Sequence, residues 1–227
     1  SDRLRALLLG GEKNNGWEKT RPVLEEYLVA AGFRLDVTER PDKIPPDTLA
    51  DYDVIVSNWN AYPSRRRAPT VTDWPDELKR AFEAYMRDGG GFVVVHAGGS
   101  SLYDWEAFHK IVGATWENGK TGHGPHHAFE VRITDNDHPI TQGLEPFRTF
   151  DELWHDMGVN GEIHVLAEAY SSPDQKGTGE YEPVAFVTRY GDGRCFNLVL
   201  GHNAKTMRNE GFKTLFQRGS LWAAGRL

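Results

Sequence analysis

The sequence predicts an α/β fold built on a mostly parallel central sheet, and two features of its first half indicate this. Apolar runs alternate with amphipathic segments between residues 5 and 97, the order expected when right-handed helical crossovers join parallel strands. Both amphipathic segments end at glycine, which is typical of a helix C-terminus. In such sheets ligands bind at the carboxyl ends of the strands.

The first half can be assigned segment by segment. RALLLGG (5–11) is a short apolar run that ends in glycines, typical of a buried parallel strand. TRPVLEEYLVAAGF has apolar residues at helical spacing before its glycine, and DELKRAFEAYMRDGGG repeats that pattern. The other strand patterns are RLDVTER, YDVIVSNWN and GFVVVHA.

In the second half of the chain most segments have strand patterns, and helix patterns are fewer. A helix is predicted in LYDWEAFHKIVGA and another in GFKTLFQRGSLWAAG near the end, and residues 190–193 form a hairpin turn that contains Asp-Gly. No repeat or linker divides the chain, so we expect one domain over residues 1–227. The strand patterns of this half are HAFEVRITD, IHVLAEAY, PVAFVTRY and GRCFNLVLGH.

Net charge, cysteine count and the length of apolar runs limit the partners and the compartment that we expect for this protein. The net charge of −7 gives no support for nucleic acid or an anionic membrane, and the basic triplet at 65–67 is interpreted as a solvated loop. The single cysteine, Cys195, excludes an internal disulfide and lies in a strand pattern, so we expect a buried, inert thiol. No apolar run reaches the ~20 residues of a membrane span. We expect a cytoplasmic protein.

His96 ends the run FVVVHAGGS, in which a strand leads directly into small residues. A strand followed by a sharp turn presents one side chain at the tip of a sheet, and in many enzymes that side chain is a Ser or Cys nucleophile. Here it is a histidine, which makes His96 a candidate catalytic residue.

Two other predicted strand ends carry candidates for binding a polar small molecule. Trp17 follows GGEKNNG, a loop that lacks the Lys and Ser or Thr of a phosphate-binding loop, so we expect no nucleotide. Asn58 and Asn60 flank an indole in SNWN, an arrangement suited to sugar hydroxyls and the apolar face of a sugar ring. The alternative for SNWN is a turn in which Asn60 caps the next segment.

GHGPHHAF (122–129) holds the densest group of histidines. His123 and His127 are four residues apart, which on a strand places both side chains on one face. Histidine is the commonest metal ligand, so this pair is a candidate site for a divalent metal such as zinc or manganese. The alternative is a polar loop with exposed histidines.

Two later segments add further candidates. Glu152 in TFDELWHD can act as a general base or ligand, while the alternative for this segment is a helix start capped by Thr149. His202 in LGHNAKTMRNEGF follows a strand, as His96 does. Arg208 in the same segment can bind a hydroxyl or carboxylate, or simply balance surface charge.

Taken together, GGGFVVVHAGG, GHGPHHAFEV, DNDHPIT, DELWHD and LGHNAKTMRNEGF resemble the ThuA-like (trehalose utilisation) family over about residues 4–225. The resemblance implies a flavodoxin-like three-layer sandwich related to class I glutamine amidotransferases. In those enzymes the strand-tip turn presents a catalytic Cys, and a later strand end presents its His. His96 and His202 stand at the matching positions, so glutaminase chemistry is not expected.

The resemblance also implies a set of functional residues. His96, His123, His127, Glu152 and His202 match polar positions of the family, whereas His126 departs from the pattern. Some relatives have histidine in the first loop, where this chain has Asn14 and Asn15.

The implied role is sugar catabolism, and from it we predict an enzyme acting on an oxidised (3-keto) sugar or glycoside. A base, Glu152 or His96, would remove the C2 proton, while His123, His127 and His202 bind a metal or polarise the carbonyl. Isomerisation or glycoside cleavage would follow. The alternative is a non-catalytic sugar-binding or regulatory module contacting sugar through Trp17, Trp59 and Arg208. Either protein could form a homo-oligomer.

Overall fold

A computed structural model describes residues 3–11, 16–63 and 68–227. The first-loop residues Asn14 and Asn15 and the basic triplet at 65–67 lie outside these ranges. Within them, one nine-stranded sheet forms the centre of the molecule, in the order β2-β1-β3-β4-β13-β12-β11-β7-β8. Its strands are β1 (Arg5–Leu9), β2 (Arg34–Thr38), β3 (Val54–Ser57), β4 (Gly91–Val95), β7 (His127–Ile133), β8 (Phe147–Asp151), β11 (His164–Tyr170), β12 (Tyr181–Tyr190) and β13 (Gly193–Leu198).

Helices cover both faces of this sheet, which confirms the predicted three-layer α/β architecture. On β1, Ala6 and Leu8 belong to the core cluster of α1 and α5, whereas Leu7 and Leu9 belong to that of α2 and α3. Alternate residues of a strand point to opposite faces, so a strand covered on both sides is apolar throughout. The helices are α1 (Trp17–Ala30), α2 (Asp76–Arg87), α3 (Glu106–Val112), α4 (Ala204–Met207) and α5 (Glu210–Ala223).

The sheet divides into two parts that meet at β13. The strands from β2 to β13 run parallel, and those from β13 to β8 run antiparallel. The predicted hairpin at 190–193 makes the first antiparallel connection, and Gly191 has a φ of 59° there, a conformation that glycine adopts without strain. The strand tips at β4 and β13 are neighbours, so His96 and His202 emerge close together.

Two short ribbons lie above the carboxyl ends of the parallel strands. One joins β5 (Ala114–Thr115) to β10 (Gly158–Val159), and the other joins β6 (Gly122–His123) to β9 (Trp154–His155). The helix start considered for TFDELWHD is therefore wrong, because Asp151 ends β8 and Trp154 begins β9. Pairing of β8 with β7 and of β9 with β6 satisfies backbone groups that a helix would otherwise have bonded.

The segment after His202 covers the outer edge of the sheet. The hydroxyl of Thr206 donates to the carbonyl of Phe150 at 2.8 Å, and the amide of Asn209 donates to the carbonyl of Arg148 at 2.8 Å. Both carbonyls belong to β8, the last strand of the sheet. Across the described ranges, the helices include none long and apolar enough to span a membrane.

Candidate functional site

His96 occupies the turn that follows β4, and its backbone is strained. Its φ of 33° lies in the left-handed region that side chains other than glycine rarely adopt. A Cβ at Gly98 would collide with the Ser57 carbonyl oxygen, so only glycine permits so close a turn there. The strand and turn therefore hold a buried imidazole at the carboxyl edge of the sheet, as predicted.

One hydrogen bond sets the orientation of the His96 ring. Its Nδ1–H donates to the carbonyl oxygen of Val199 at 2.5 Å. The lone pair of Nε2 then faces the Nδ1 atom of His202, 3.3 Å away. A backbone carbonyl on one ring nitrogen and a free lone pair on the other is the arrangement that metal-ligating histidines have.

The carboxylate of Glu152 is the centre of the cluster. Its Oε2 lies 2.5 Å from Nδ1 of His202 and 3.4 Å from Nε2 of His126. Its Oε1 lies 3.1 Å from Nε2 of His123 and accepts a hydrogen bond from the indole N–H of Trp154, also at 3.1 Å. Nitrogen atoms from four side chains therefore surround a single buried carboxylate.

Asp151 fixes this carboxylate and His202 relative to each other. Its fully buried carboxylate accepts backbone N–H groups from Gly201 at 2.7 Å and His202 at 3.2 Å, and from Glu152 at 2.8 Å. These bonds join the end of β8 to the turn after β13, across a distance of about fifty residues in the chain. Asp151 is a positioning residue in TFDELWHD, the motif from which only Glu152 was predicted as a site residue.

The electrostatics of the cluster keep Glu152 ionised. Burial alone would raise the pKa of its carboxyl, but the hydrogen bond from His202 and the neighbouring histidines lower it to about 2. Burial lowers the pKa of His96. For His202, burial opposes the charged ring, yet contact with Glu152 raises its pKa overall. A carboxylate with so low a pKa is a weak proton acceptor, so Glu152 suits ligand binding better than base catalysis.

Three of these side chains could hold a metal ion. One ligand atom from each of His96, Glu152 and His202 lies within 4.8 Å of the others. Two imidazoles and a carboxylate are a donor set that zinc and manganese accept. The residues predicted to be catalytic are therefore the ones that the fold groups as candidate metal ligands.

Aromatic rings form one wall of the site. The ring centroid of Trp154 lies 4.7 Å from that of His96 and 5.0 Å from that of Trp116. Trp116 in turn lies 6.2 Å from the His123 ring and 5.6 Å from the Tyr62 ring. Trp116 is partly exposed and offers an indole face of the kind that stacks against the C–H face of sugars, whereas Trp154 is buried behind it. Neither was predicted as a site residue.

Comparison with known proteins agrees with this picture. The family model described as ThuA, trehalose utilisation, matches residues 5–223. This chain belongs to the ThuA family. Membership associates it with carbohydrate metabolism and confirms the resemblance drawn from the motifs. No curated protein matches the chain in sequence.

Solved structures place the ThuA-family chain in its fold class. A ThuA-like protein from Parabacteroides merdae is 27% identical, with a TM-score of 0.85, over 98% of this chain and 90% of that one. A ThuA-like protein from Bacteroides uniformis is 21% identical, with a TM-score of 0.70, over 98% and 91%. A Thermotoga maritima glutamine amidotransferase, 14% identical with a TM-score of 0.55 over 99% of each chain, shares the fold alone.

His123 and His127, the predicted metal ligands, have different partners, and neither is among the three described side chains whose ligand atoms converge. His123 lies in β6 and reaches Glu152, but His127 lies in β7 and its Nδ1 faces the Pro125 carbonyl at 2.9 Å. Gly124 and Pro125 interrupt the strand, so the four-residue spacing does not keep the two side chains on one face. His126, which departs from the family pattern, contacts Glu152 instead.

The predicted sugar-binding amides are engaged within the protein. The amide of Asn58 donates to the Thr20 hydroxyl at 3.1 Å, and that of Asn60 donates to the Ala97 carbonyl at 3.1 Å. The Asn60 side chain also accepts the backbone N–H of Tyr62 at 3.1 Å, which is the turn-capping alternative. Both amides are buried, and the indole of Trp59 between them is fully buried, so the structure does not present SNWN to a sugar as predicted.

Trp17 and Arg208 make surface contacts of their own. The guanidinium of Arg21 lies 5.5 Å from the Trp17 ring centroid. Arg208 pairs with Glu26 at 2.7 Å, half exposed, which is the surface-charge alternative for this residue. Their roles in binding sugar stay predictions.

Proposed function

We propose that this ThuA-family protein is a carbohydrate-catabolism enzyme that acts on an oxidised (3-keto) sugar or glycoside with the help of a divalent metal. One observation carries the proposal, the convergence of imidazole nitrogens on the carboxylate of Glu152. The Nδ1–H group of His96 donates to the carbonyl of Val199, and that of His123 donates to the carbonyl of Gly124. In both rings Nε2 therefore faces the cluster.

The donor and acceptor roles of the His123 ring nitrogens support a cation bound at Glu152. A neutral imidazole has one N–H, and His123 donates it to the Gly124 carbonyl at 2.7 Å. When His123 is neutral, its Nε2 faces Oε1 of Glu152, 3.1 Å away, without a proton between them. A divalent cation bound to the carboxylate would offset its charge beside that lone pair. His96, Glu152 and His202 are the residues that would hold zinc or manganese.

The proposed chemistry begins from the acidity of the substrate. A ketone at C3 acidifies the proton at C2, and a bound divalent cation supplies Lewis acidity for the carbonyl oxygen. His123 is placed to accept the C2 proton at Nε2, since its other nitrogen is fixed and about two-fifths of its side chain is exposed. His126, a third exposed, is placed to deliver a proton from Nε2 to the leaving anomeric oxygen or back to carbon.

Thiol chemistry is not part of this proposal. Cys195 lies inside β13, and burial raises the pKa of its thiol to about 12. With histidine at the strand tip, the residues described here offer no thiolate for an acyl-enzyme. We infer that the protein is not a glutamine amidotransferase.

We further propose a cytoplasmic protein whose partner is a small-molecule sugar rather than nucleic acid or a membrane. The net charge of −7 supports the exclusion of polyanionic partners.

The decisive experiment combines metal analysis with turnover. Protein purified without chelator or metal-affinity resin should contain near-stoichiometric zinc or manganese and should turn over a 3-keto glucoside. His96→Ala and Glu152→Gln should lose the metal and at least about 100-fold in turnover, since even the outer partners of metal ligands are worth 10–100-fold. His164→Gln is the matched control, because His164 pairs with Asp135 outside the cluster.

Two results would contradict the proposal. Full turnover in both His96→Ala and Glu152→Gln would remove the cluster from the reaction. Binding of unoxidised disaccharides without turnover of any oxidised one, with metal supplied, would instead support the sugar-binding module.

A further inference from the structure

A cavity lies beside the site and shares Trp116 with its aromatic wall. Its volume is about 290 Å³, close to the lower limit of about 300 Å³ for small-molecule pockets. The β5–β10 ribbon contributes Thr115 to it, and α3 contributes His109. The remaining lining residues are Tyr103, Trp116, Glu117, Asn118 and Asn160.

Trp116 is shared by the cavity and the candidate active site. It lines the cavity, yet its ring lies 5.0 Å from that of Trp154 and 6.2 Å from that of His123. Its backbone N–H is fixed by the carbonyl of Gly99, in the strand-tip turn, at 3.0 Å. One indole therefore borders both spaces, and a ligand longer than one ring could pass from the catalytic cluster into the cavity along it.

The lining favours a neutral, hydroxyl-rich ligand. The amide nitrogen of Asn160 donates to the Gly158 carbonyl at 3.0 Å, which leaves the amide oxygen for a ligand, and Asn118 is exposed at the rim. Glu117 adds an acceptor. The ring nitrogens of His109 are both engaged, by the Thr115 hydroxyl at 2.7 Å and the Tyr103 carbonyl at 3.1 Å.

The same groups do not favour an anion. The Glu117 carboxylate that lines the cavity is already ion-paired with Lys120 at 3.3 Å. The lining residues named above include no lysine or arginine, so the lining itself offers no cation to a phosphate or carboxylate ligand. Amide groups, an acceptor and an indole face together are the groups that hold sugar hydroxyls and stack on a sugar ring. The volume suits one ring.

We infer that this cavity is the subsite for the second, non-reacting ring of a disaccharide or glycoside, with Trp116 as the platform between the two rings. The inference rests on the proposed function, because it assigns the reacting ring to the histidine cluster. It adds a place in the fold for the second sugar ring of such a substrate.

The test compares a large and a small leaving group. We would measure kcat and KM for 3-keto-trehalose and for methyl 3-keto-α-glucoside with the wild-type protein, Asn160→Ala and Asn136→Ala. Asn160→Ala should raise KM for the disaccharide about 2- to 10-fold, the worth of one hydrogen bond to a neutral group. Its KM for the methyl glucoside and its kcat should not change. Asn136→Ala, an exposed Asn outside the cavity, should change neither substrate's constants.

The outcomes separate the subsite from the chemistry. Equal changes for both substrates in Asn160→Ala, or no change for either, would overturn the subsite. If neither substrate is turned over, the proposed reaction fails, and calorimetric titration with trehalose and methyl α-glucoside decides the subsite by itself. The subsite would be supported if the wild-type protein bound trehalose more tightly than methyl α-glucoside and Asn160→Ala removed that difference. Equal binding of the two sugars would overturn it.

Discussion

Asp151→Asn tests whether one buried carboxylate holds the site together. The wild-type carboxylate accepts N–H groups from Gly201 through Oδ2 and from His202 and Glu152 through Oδ1. An amide has only one acceptor oxygen. Whichever way it is oriented, its NH₂ group meets at least one backbone N–H, and that buried donor loses its partner.

The cost can be worked out from these contacts. Hydrogen bonds to a charged group are worth about 1.5–3 kcal/mol, and an unsatisfied buried donor costs about 1–3 kcal/mol. The single lost bond to Gly201 therefore predicts a loss of about 2–3 kcal/mol in the free energy of unfolding. For a chain of this size that corresponds to a decrease in Tm of roughly 4–12 °C.

Chemical and thermal unfolding of Asp151→Asn and wild type would measure this difference, with Asp104→Asn, an exposed aspartate, as the control. Because the Asp151 carboxylate also fixes His202, turnover of the 3-keto glucoside should fall together with stability. A variant as stable as Asp104→Asn would refute the reasoning, since it would mean that the three N–H groups find other acceptors at no cost.

Three further predictions concern other groups. Burial lowers the pKa of His138 below its ordinary value of 6.5, so its contribution to the free energy of unfolding is present above pH 6.5 and is lost as the pH falls below that value. In His138→Gln the free energy of unfolding should therefore depend less steeply on pH between pH 6.5 and 5, by at most about 1.4 kcal/mol per pH unit. An unchanged slope would contradict this. Cys195 should resist thiol reagents in the native protein and react fully in denaturant, while Cys195→Ala should keep full turnover; loss of turnover would implicate the thiol. His127→Ala should retain metal that His96→Ala loses, as elemental analysis of the two purified variants would show, and equal loss would restore His127 as a ligand.

Much of the fold and part of the site could be predicted because they follow from local rules. The carboxyl ends of parallel strands share one edge, so a histidine after β4 and another after β13 lie at that edge. The pairing of β4 with β13 then makes them neighbours. The ring contacts of His96 and His202 follow from that rule. Apolar runs and glycine stops indicated the layers, since a strand covered on both faces has no polar positions.

The remaining features depend on contacts between distant segments. A Cβ at Gly124 would collide with the Gln175 carbonyl oxygen, so the approach of that distant segment requires glycine between β6 and β7. Beyond this glycine it is His126, not His127, that contacts Glu152. Asn58 and Asn60 resemble ligand-binding amides until their partners on α1 and in the His96 turn are known. Neither contact has a signal in the neighbouring sequence.

The covering of β8 by Thr206 and Asn209 has a consequence for association between molecules. An uncovered edge strand offers unpaired carbonyls to the edge of another sheet, which is a route to aggregation. The residues that block this route lie on the same short segment as His202. Local opening of that segment would release a histidine of the cluster and expose the edge of the sheet in one event. Conditions that loosen the site should therefore also promote self-association, and a ligand that holds His202 in place should suppress it.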